Sequence, residues 1–497
     1  MASPLAARGF GTQDLDQQRT DPLVQAIHKE RKTMTSNNPF SSEAPRRAEA
    51  AASPQSALSR RGILSLGGGL GLTAALAACG GSKTPPAATA PAGGNGGATY
   101  TGPNVTVKFW NGFTGGDGVG IKQIVDKFNS ENPKIKVEMN VYQWADFFQK
   151  LPAAVASGNG PNVAAMHVDD IGTNAAQNTI VPIQDIADAL KLQESQYPQV
   201  VWQGGLYQNK RYGIPLDIHP LAFYWNKKVF SKAGLDPEKP PTNKNDFEEA
   251  LKTMKGKGIK GFWVSPFPFT GGLTFFGMIY QFGGSVFSED GKSVTFDQDP
   301  GVQALTWMKS LVDQGYSPAN VAQDADYVAL HNAQNAMNIN GIWQVNDTVR
   351  GQKNPEDFGC APVPQIGSQN GVWADSHQFV LPRQTNVDPN VTQASEFFIK
   401  YVSENPIPWV KTGKIPASKT VLDSSEFKAI EPEAKLAAEL DYAHFPPPIP
   451  GIGDVLTEMY NGYQAAILGK SDPASALKAS AQKANQILQQ NLKKYGG

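Results

Sequence analysis

Three features of the chain predict an α/β fold built on a mostly parallel, doubly wound sheet. Strand-like and helix-like segments alternate through residues 104–167. Apolar residues make up 40% of the sequence, enough for a substantial core. From Cys79 onward roughly 420 residues remain, long enough for one large two-lobed unit or two ordinary domains.

The segment before that body reads as an address. Arg60 and Arg61 precede an uncharged, Gly- and Leu-rich stretch from Gly62 to Ala78, and small residues lead into Cys79. A positive segment, an apolar segment and a small-residue cleavage site make an export signal. The paired arginines suggest the twin-arginine route, although a Sec-type signal can also contain them. "LAAC" resembles the lipobox of bacterial lipoproteins, in which the Cys is acylated and becomes the first mature residue. As a membrane span the stretch is too short and too rich in Gly; as a phosphate-binding loop it lacks the Lys and the preceding strand. Met34 is an alternative start. Residues 1–78 are therefore set aside as leader, and 79–103, dominated by Gly, Ala, Pro, Thr and Ser, reads as a lipidated Cys79 with a flexible tether.

In "NVTVKFWNG", Val105, Val107 and Phe109 alternate with polar residues, which predicts a strand. A Gly-rich turn, Gly112 to Gly120, follows. Ile121, Ile124, Val125 and Phe128 then recur at helical spacing and stop before Pro133. "KIKVEMNVY" reads as a second strand. "WADFFQKLPAAVASG" reads as a helix, with Pro152 kinking it or beginning a second one, and "NVAAMHV" as a third strand. Thr242 or Asn243 caps a helix after the Pro-rich turn that follows "YGIPLDIHPLAFYWNKKVFSKAGL". Further helices are predicted at 300–313, 393–403 and about 474–490, the last with Leu477, Ala481, Ala484 and Leu488 on one face.

Composition excludes several classes. The formal net charge is −1 and no basic block follows the leader, which argues against nucleic acid and against an electrostatic hold on anionic lipid. Cys360 is the only Cys besides Cys79, so lipidation of Cys79 leaves no internal disulfide. No Cys/His cluster has zinc-ligand spacing, and no cofactor or metal is expected. No further run of 18 apolar residues occurs.

Several segments, taken in order, resemble the extracellular solute-binding proteins of ABC importers, family 1, the carbohydrate-binding group. They are "FNSENPKIKVEM", "KLPAAVASGNGPNVAAMHVDDI", "YGIPLDIHPLAFYWNKKVFSKAGLD", "MNINGIWQV", "WADSHQFVLP" and "VKTGKIPASK". The chain departs from the pattern at Asn162, where Asp is usual, and at Trp225, where Tyr is usual. The resemblance implies a two-lobed periplasmic-binding-protein fold, with doubly wound sheets joined by a hinge and ligand held between the lobes. It places lobe 1 at 104–218 plus 378–430 and lobe 2 at 219–377 plus 440–497. It also implies a sugar ligand, ABC permease subunits as membrane partners, no catalysis, and a monomer anchored on the outer face of the cytoplasmic membrane.

A sugar presents flat C–H faces and many hydroxyls, so aromatic rings and directional polar groups are the side chains to seek. In an open α/β sheet they belong beyond the carboxyl ends of strands. After the first strand stand Trp110, Phe113 and Asp117; after the third, His167 with Asp169 or Asp170, either of which also suits a helix cap. Asp217 and His219 face the cleft by the resemblance. Trp263 and Phe267 come from an aromatic-rich run that is mostly core, and Trp343 follows a strand-like run. Trp373, Asp375 and His377 alternate onto one side of an extended segment. Trp409 closes a rim or simply packs, and Arg350 is a weaker candidate that suits a surface ion pair. The acids outnumber candidate Lys and Arg, which leans against phosphate, although a polyol or glycerophosphodiester is the alternative ligand. A secreted glycosidase would need two carboxylates roughly 5–10 Å apart, which Asp117, Asp169, Asp217 or Asp375 could supply; a purely structural lipoprotein would not need this cluster.

Overall fold

A computed structural model describes residues 100–495. The leader, Cys79 and the tether up to residue 99 lie outside the described residues. Tyr100, placed in the tether by the sequence reading, is buried, and its hydroxyl donates to the Pro103 carbonyl at 2.8 Å.

The strands, in chain order, are β1 (Val105–Asn111), β2 (Ile135–Val141), β3 (Val163–His167), β4 (Ile180–Val181), a small hairpin β5 (Leu206–Tyr207) and β6 (Lys210–Arg211), β7 (Ile214–Pro215), β8 (Asp217–Asn226), β9 (Met337–Gly341), β10 (Phe358–Ala361), β11 (Val372–Asp375), β12 (His377–Pro382), β13 (Ile415–Pro416) and β14 (Ala443–His444). They form two main sheets. The first has the order β2-β1-β3-β12-β4, with β7 also on β12; the second is built around β8 with β9, β10, β11, β13 and β14.

The first sheet is covered on both faces, so its inner strands β3 and β12 are buried nearly throughout, whereas β1 and β2 alternate. Helix Gly116–Glu131 lays Ile121, Ile124, Val125 and Phe128 over Val107 and Phe109. On the other face, helix Trp144–Ala156 packs Phe147 and Leu151 against Ala164 and Met166. Pro152 lies inside that single helix and starts no second one. The Lys108 N–H donates to Asn162 Oδ1 at 2.9 Å, so the residue that departs from the family pattern still clamps β1 to the approach of β3.

The parallel prediction holds for β1 with β2 and β3, which are joined by helical crossovers. It fails for β12, which runs antiparallel to β3, and for β8, which is antiparallel to β9, β10, β11 and β13. The reason is connectivity. A parallel neighbour needs a long crossover, whereas these strands enter from the other sheet through one or two residues. Leu216 alone separates β7 from β8, and Ser376 alone separates β11 from β12. The second core gathers Phe223, Met337, Ile339, Phe275, Met308 and Tyr463, with Leu477, Ala481, Ala484 and Leu488 of the final helix Pro473–Tyr495. Helices Asp299–Asp313 and Pro389–Glu404 match the predicted ones, and Asn243 caps Lys244–Gly256 by accepting from the Asp246 N–H at 3.1 Å. Trp225 is seated against Gly359, its cross-strand partner, where a Cβ would overlap the ring. Among the described residues no helix is long and apolar enough to cross a membrane.

Candidate ligand-binding site at the lobe crossings

Strand register brings the site together. His377 is paired with His167 across β12 and β3, and His219 with Asp375 across β8 and β11. The two pairs meet where Ser376 carries the chain from one sheet to the other.

Asp217 is the centre of the floor. It is fully buried and accepts from the His377 backbone N–H at 3.0 Å and from Trp409 Nε1 at 2.8 Å. His377 Nδ1 lies 2.8 Å and His219 Nδ1 3.1 Å from its oxygens. Burial alone would raise this carboxyl, but His377 and His219, through their charge whenever they are protonated and through their hydrogen bonds, hold it well below the usual carboxylate range. An ionised carboxylate only accepts, so both imidazoles carry their proton on Nδ1 and turn a bare Nε2 away from it. The two rings stack at 4.1 Å. Burial lowers the pKa of all three histidines, His219 to about 3, so each is neutral at pH 7.

Around this floor the rings form two walls. On the first lobe Trp144 stacks on His377 at 5.4 Å and lies 4.2 Å from His167, with Phe148 behind it. Trp144 rests against Gly112, where any Cβ would overlap the indole. On the second lobe Trp343 and Trp373 meet edge to face at 6.3 Å, and each approaches His219, at 5.8 and 6.0 Å. Trp343 likewise rests on a glycine, Gly341, and Phe269, half exposed, stands 5.5 Å from it. The Trp373 Nε1 donor is buried without a protein partner.

The third component is acidic. Asp169 and Asp170 lie in the first turn of helix Val168–Ala176, whose N-cap is His167, so neither is the cap itself. Asp375 Oδ2 stands 3.7 Å from His167 Nδ1. Burial raises Asp169 to about 6. Burial and then the Asp169 charge push both Asp170 and Asp375 well above the usual range. Tyr460, from helix Ile452–Ile467, faces the same charges, which together with burial raise its hydroxyl.

Asp217, His219, Asp375, His377, Trp343 and Trp373 thus converge, with Asp169 beside them. Other expected residues stand elsewhere or do other work. Phe113 is buried beneath the floor against His377, Trp409 and Trp144, so it supports the rings without offering a face. Trp409 is fully buried and no rim residue; its indole belongs to Asp217. Asp117 is no free acceptor: its Oδ1 takes the Gly115 N–H and its Oδ2 takes Lys414 Nζ at 3.0 Å, both side chains being buried. Trp110 packs on Tyr142 at 4.8 Å, outside the ring cluster. Trp263 lines a small cavity inside the second lobe with Asp326, Asn338 and Tyr463, because its segment runs beside β9 through the Phe262–Met337 bridge. Arg350 is engaged by Glu433 and the Glu431 carbonyl.

Trp144, Phe148 and Lys414 were not singled out from the sequence. The first two directly follow β2, so the strand-end rule applied to β1 and β3 finds them when extended to β2. Lys414 sits within "VKTGKIP", 5.8 Å from the Trp343 ring and 5.6 Å from Trp409.

Two α/β lobes crossed by short strands, with polar groups and aromatic faces converging at the crossings, define a binding protein that holds a solute between lobes. The family model described as "Bacterial extracellular solute-binding protein" matches residues 114–386, and the chain belongs to that family. A relative, the sn-glycerol-3-phosphate-binding periplasmic protein UgpB of Escherichia coli K12, is 23% identical over 412 residues, covering 77% of this chain and 92% of the relative. Among solved structures, the GacH receptor of Streptomyces glaucescens, determined unliganded and with acarbose, is similar with a TM-score of 0.69 and 22% identity, over 77% of this chain and 98% of that one. The cyclic alpha-maltosyl-1,6-maltose binding protein of Arthrobacter globiformis is similar with a TM-score of 0.66 and 22% identity, over 78% and 100%. These likenesses establish the two-lobed fold.

Proposed function

We propose that this chain is the substrate-binding component of an ABC importer and that it captures a sugar or oligosaccharide between its lobes for delivery to a membrane permease. The observation that carries the reading is the joint placement of Trp144, Trp343 and Trp373 around buried polar groups at the lobe crossings. Tryptophan faces cover the apolar sides of a pyranose, while carboxylates and imidazoles select its hydroxyls. The names of the two solved structures favour the same ligand class.

A second reading, a polyol or glycerophosphodiester, is favoured by the name of the Escherichia coli relative. A phosphate group finds little support here, because Lys414 and Arg350 are each paired with a carboxylate. The Cys79 lipid would hold the protein at the outer face of the cytoplasmic membrane, with the tether giving it reach; confinement beside the permease raises effective concentration. Export by the twin-arginine route would deliver it already folded. The chain captures and releases without chemistry.

A thermal-shift panel of sugars, sugar alcohols and glycerophosphodiesters tests the ligand class. The correct ligand at 100 times its Kd adds about 2.7 kcal/mol of stability. A response to amino acids or peptides alone would exclude carbohydrate, and product formation from oligosaccharides would exclude pure binding.

A further inference from the structure

Three carboxyls gather around the His167 ring at the edge of this site. Asp169 and Asp170 lie in the first turn of helix Val168–Ala176, and an oxygen of each lies within 4.8 Å of the other's and of a His167 ring nitrogen. Asp375 Oδ2 approaches the same ring from β11, at 3.7 Å. The first two follow a strand of the first sheet, and the third lies in a strand of the second. The charges that bear most on Asp375 are those of Asp169, Asp170 and Asp217, all acidic. Among the described residues no Lys or Arg ion pair answers the three. The histidines are neutral, and Lys414, the cation beside the tryptophan walls, is held by Asp117 at 3.0 Å.

A buried donor at the same place is also unanswered. Trp373 is 6% exposed, and its Nε1 has no partner in the protein. It stands two residues before Asp375 in β11 and therefore on the same side of that strand. A solute that completes the site brings positive charge for the carboxyls and an acceptor for the indole.

We propose that the solute is an amino sugar, a saccharide with at least one free protonated amine, and that Asp375, Asp169 and Asp170 receive its ammonium. The inference rests on the carbohydrate reading and narrows it. An ammonium offers several donors and a full charge, the strong partner for carboxylates, whereas a hydroxyl in its place offers one donor and no charge. Desolvation disfavours the ionised form of all three carboxyls in the free protein, and a cation among them restores it. The faces of Trp343 and Trp373 attract a cation as well as sugar C–H groups. The hydroxyls of the same solute supply the acceptor that Trp373 Nε1 lacks, which a bare cation or a polyamine does not.

Matched probes test this by calorimetry at neutral pH. Glucosamine, galactosamine and the chitosan disaccharide are each compared with the neutral sugar and with the N-acetylated form, with spermidine as a cation lacking hydroxyls. At least one free amine should bind about tenfold or more tighter than both of its neutral counterparts, the difference between a charged and a neutral hydrogen bond. In Asp375→Asn the ratio of amine to neutral affinity should fall toward one, and Asp170→Asn should lower the same ratio should the first variant fold poorly. Neutral or acetylated sugars binding as tightly as the amines, a ratio indifferent to both variants, or no amine binding at all overturns the proposal. Spermidine binding as tightly as the amino sugars also overturns it, since charge alone would then fill the site. Neutral sugars binding without an amine preference leaves the carbohydrate reading standing, whereas a response confined to amino acids or peptides removes that reading too.

Discussion

Two sets of carboxylates stand side by side at the lobe crossings, and they are in opposite states. Asp217 receives donors from His219, His377, Trp409 and the His377 backbone, and its ionised form is held. Asp169, Asp170 and Asp375 crowd one another, and burial drives all three toward protonation. Asp375 takes only its neighbour's N–H, from Ser376, and Asp169 Oδ1 is buried with no partner. The same residue type is saturated in one place and wanting in the other. A saturated carboxylate is part of the frame; an unsaturated one is a site still waiting for donors, which a polyhydroxylated solute brings.

The strongest way to break this contrast is Asp217→Ala. It orphans several buried donors at once and should destabilise the protein by about 3–5 kcal/mol in urea unfolding. A loss under 1 kcal/mol would show that the hub is not structural. Next comes Trp343→Ala, which removes a face from the second wall. Sugar affinity measured by calorimetry should fall roughly 10–100-fold, with unfolding stability nearly unchanged. Gly112→Ala acts on the opposite wall through its neighbour: the new Cβ displaces the Trp144 ring, and affinity should drop several-fold without any change to a ligand-facing residue. Unaltered affinity would take Trp144 out of the site.

On the unsaturated side, Asp170→Asn should stabilise the free protein. The folded-state pKa is raised, so the unfolded chain releases its proton first as pH rises, and the folded state carries a growing penalty above the unfolded value. Replacement by Asn removes that penalty. The gain at pH 8 should shrink toward pH 4, which paired melts at the two pH values measure. Lys122→Ala, at an exposed pair with Asp126 on the same helix as Asp117, is the smallest effect, within about 0.5 kcal/mol. If it matched the loss from removing Lys414, the buried partner of Asp117, burial would not be what distinguishes the two pairs.

The first lobe was legible because its signals are local. Val105, Val107 and Phe109 alternate, Ile121 to Phe128 recur at helical spacing, and the strand-end rule leads to Asp169. Trp373, Asp375 and His377 were likewise placed on one side of their segment, and all three reach the site. What was not legible depends on which strand lies beside which. Asp117 looked free because its partner, Lys414, stands 297 residues away. Trp409 reads as packing or rim until Asp217 is seen beneath it. The antiparallel joins at β8 and β12 follow from hinge connections that carry no composition signal. The histidine cluster is the extreme case, since His167, His219 and His377 meet only through the pairing of β3 with β12 and the stacking of His219 on His377.

The single residue Ser376 between β11 and β12 has a mechanical consequence. A connection that short has no slack for the sheets to slide past each other, so relative motion of the lobes is a rotation about an axis through the crossings. Displacement in a rotation grows with distance from its axis. Asp217, His219 and His377 sit at the pivot and travel least, whereas residues far from the crossings travel most. The floor therefore keeps its geometry through the whole stroke, and a solute meets a finished half of its site before the far wall arrives.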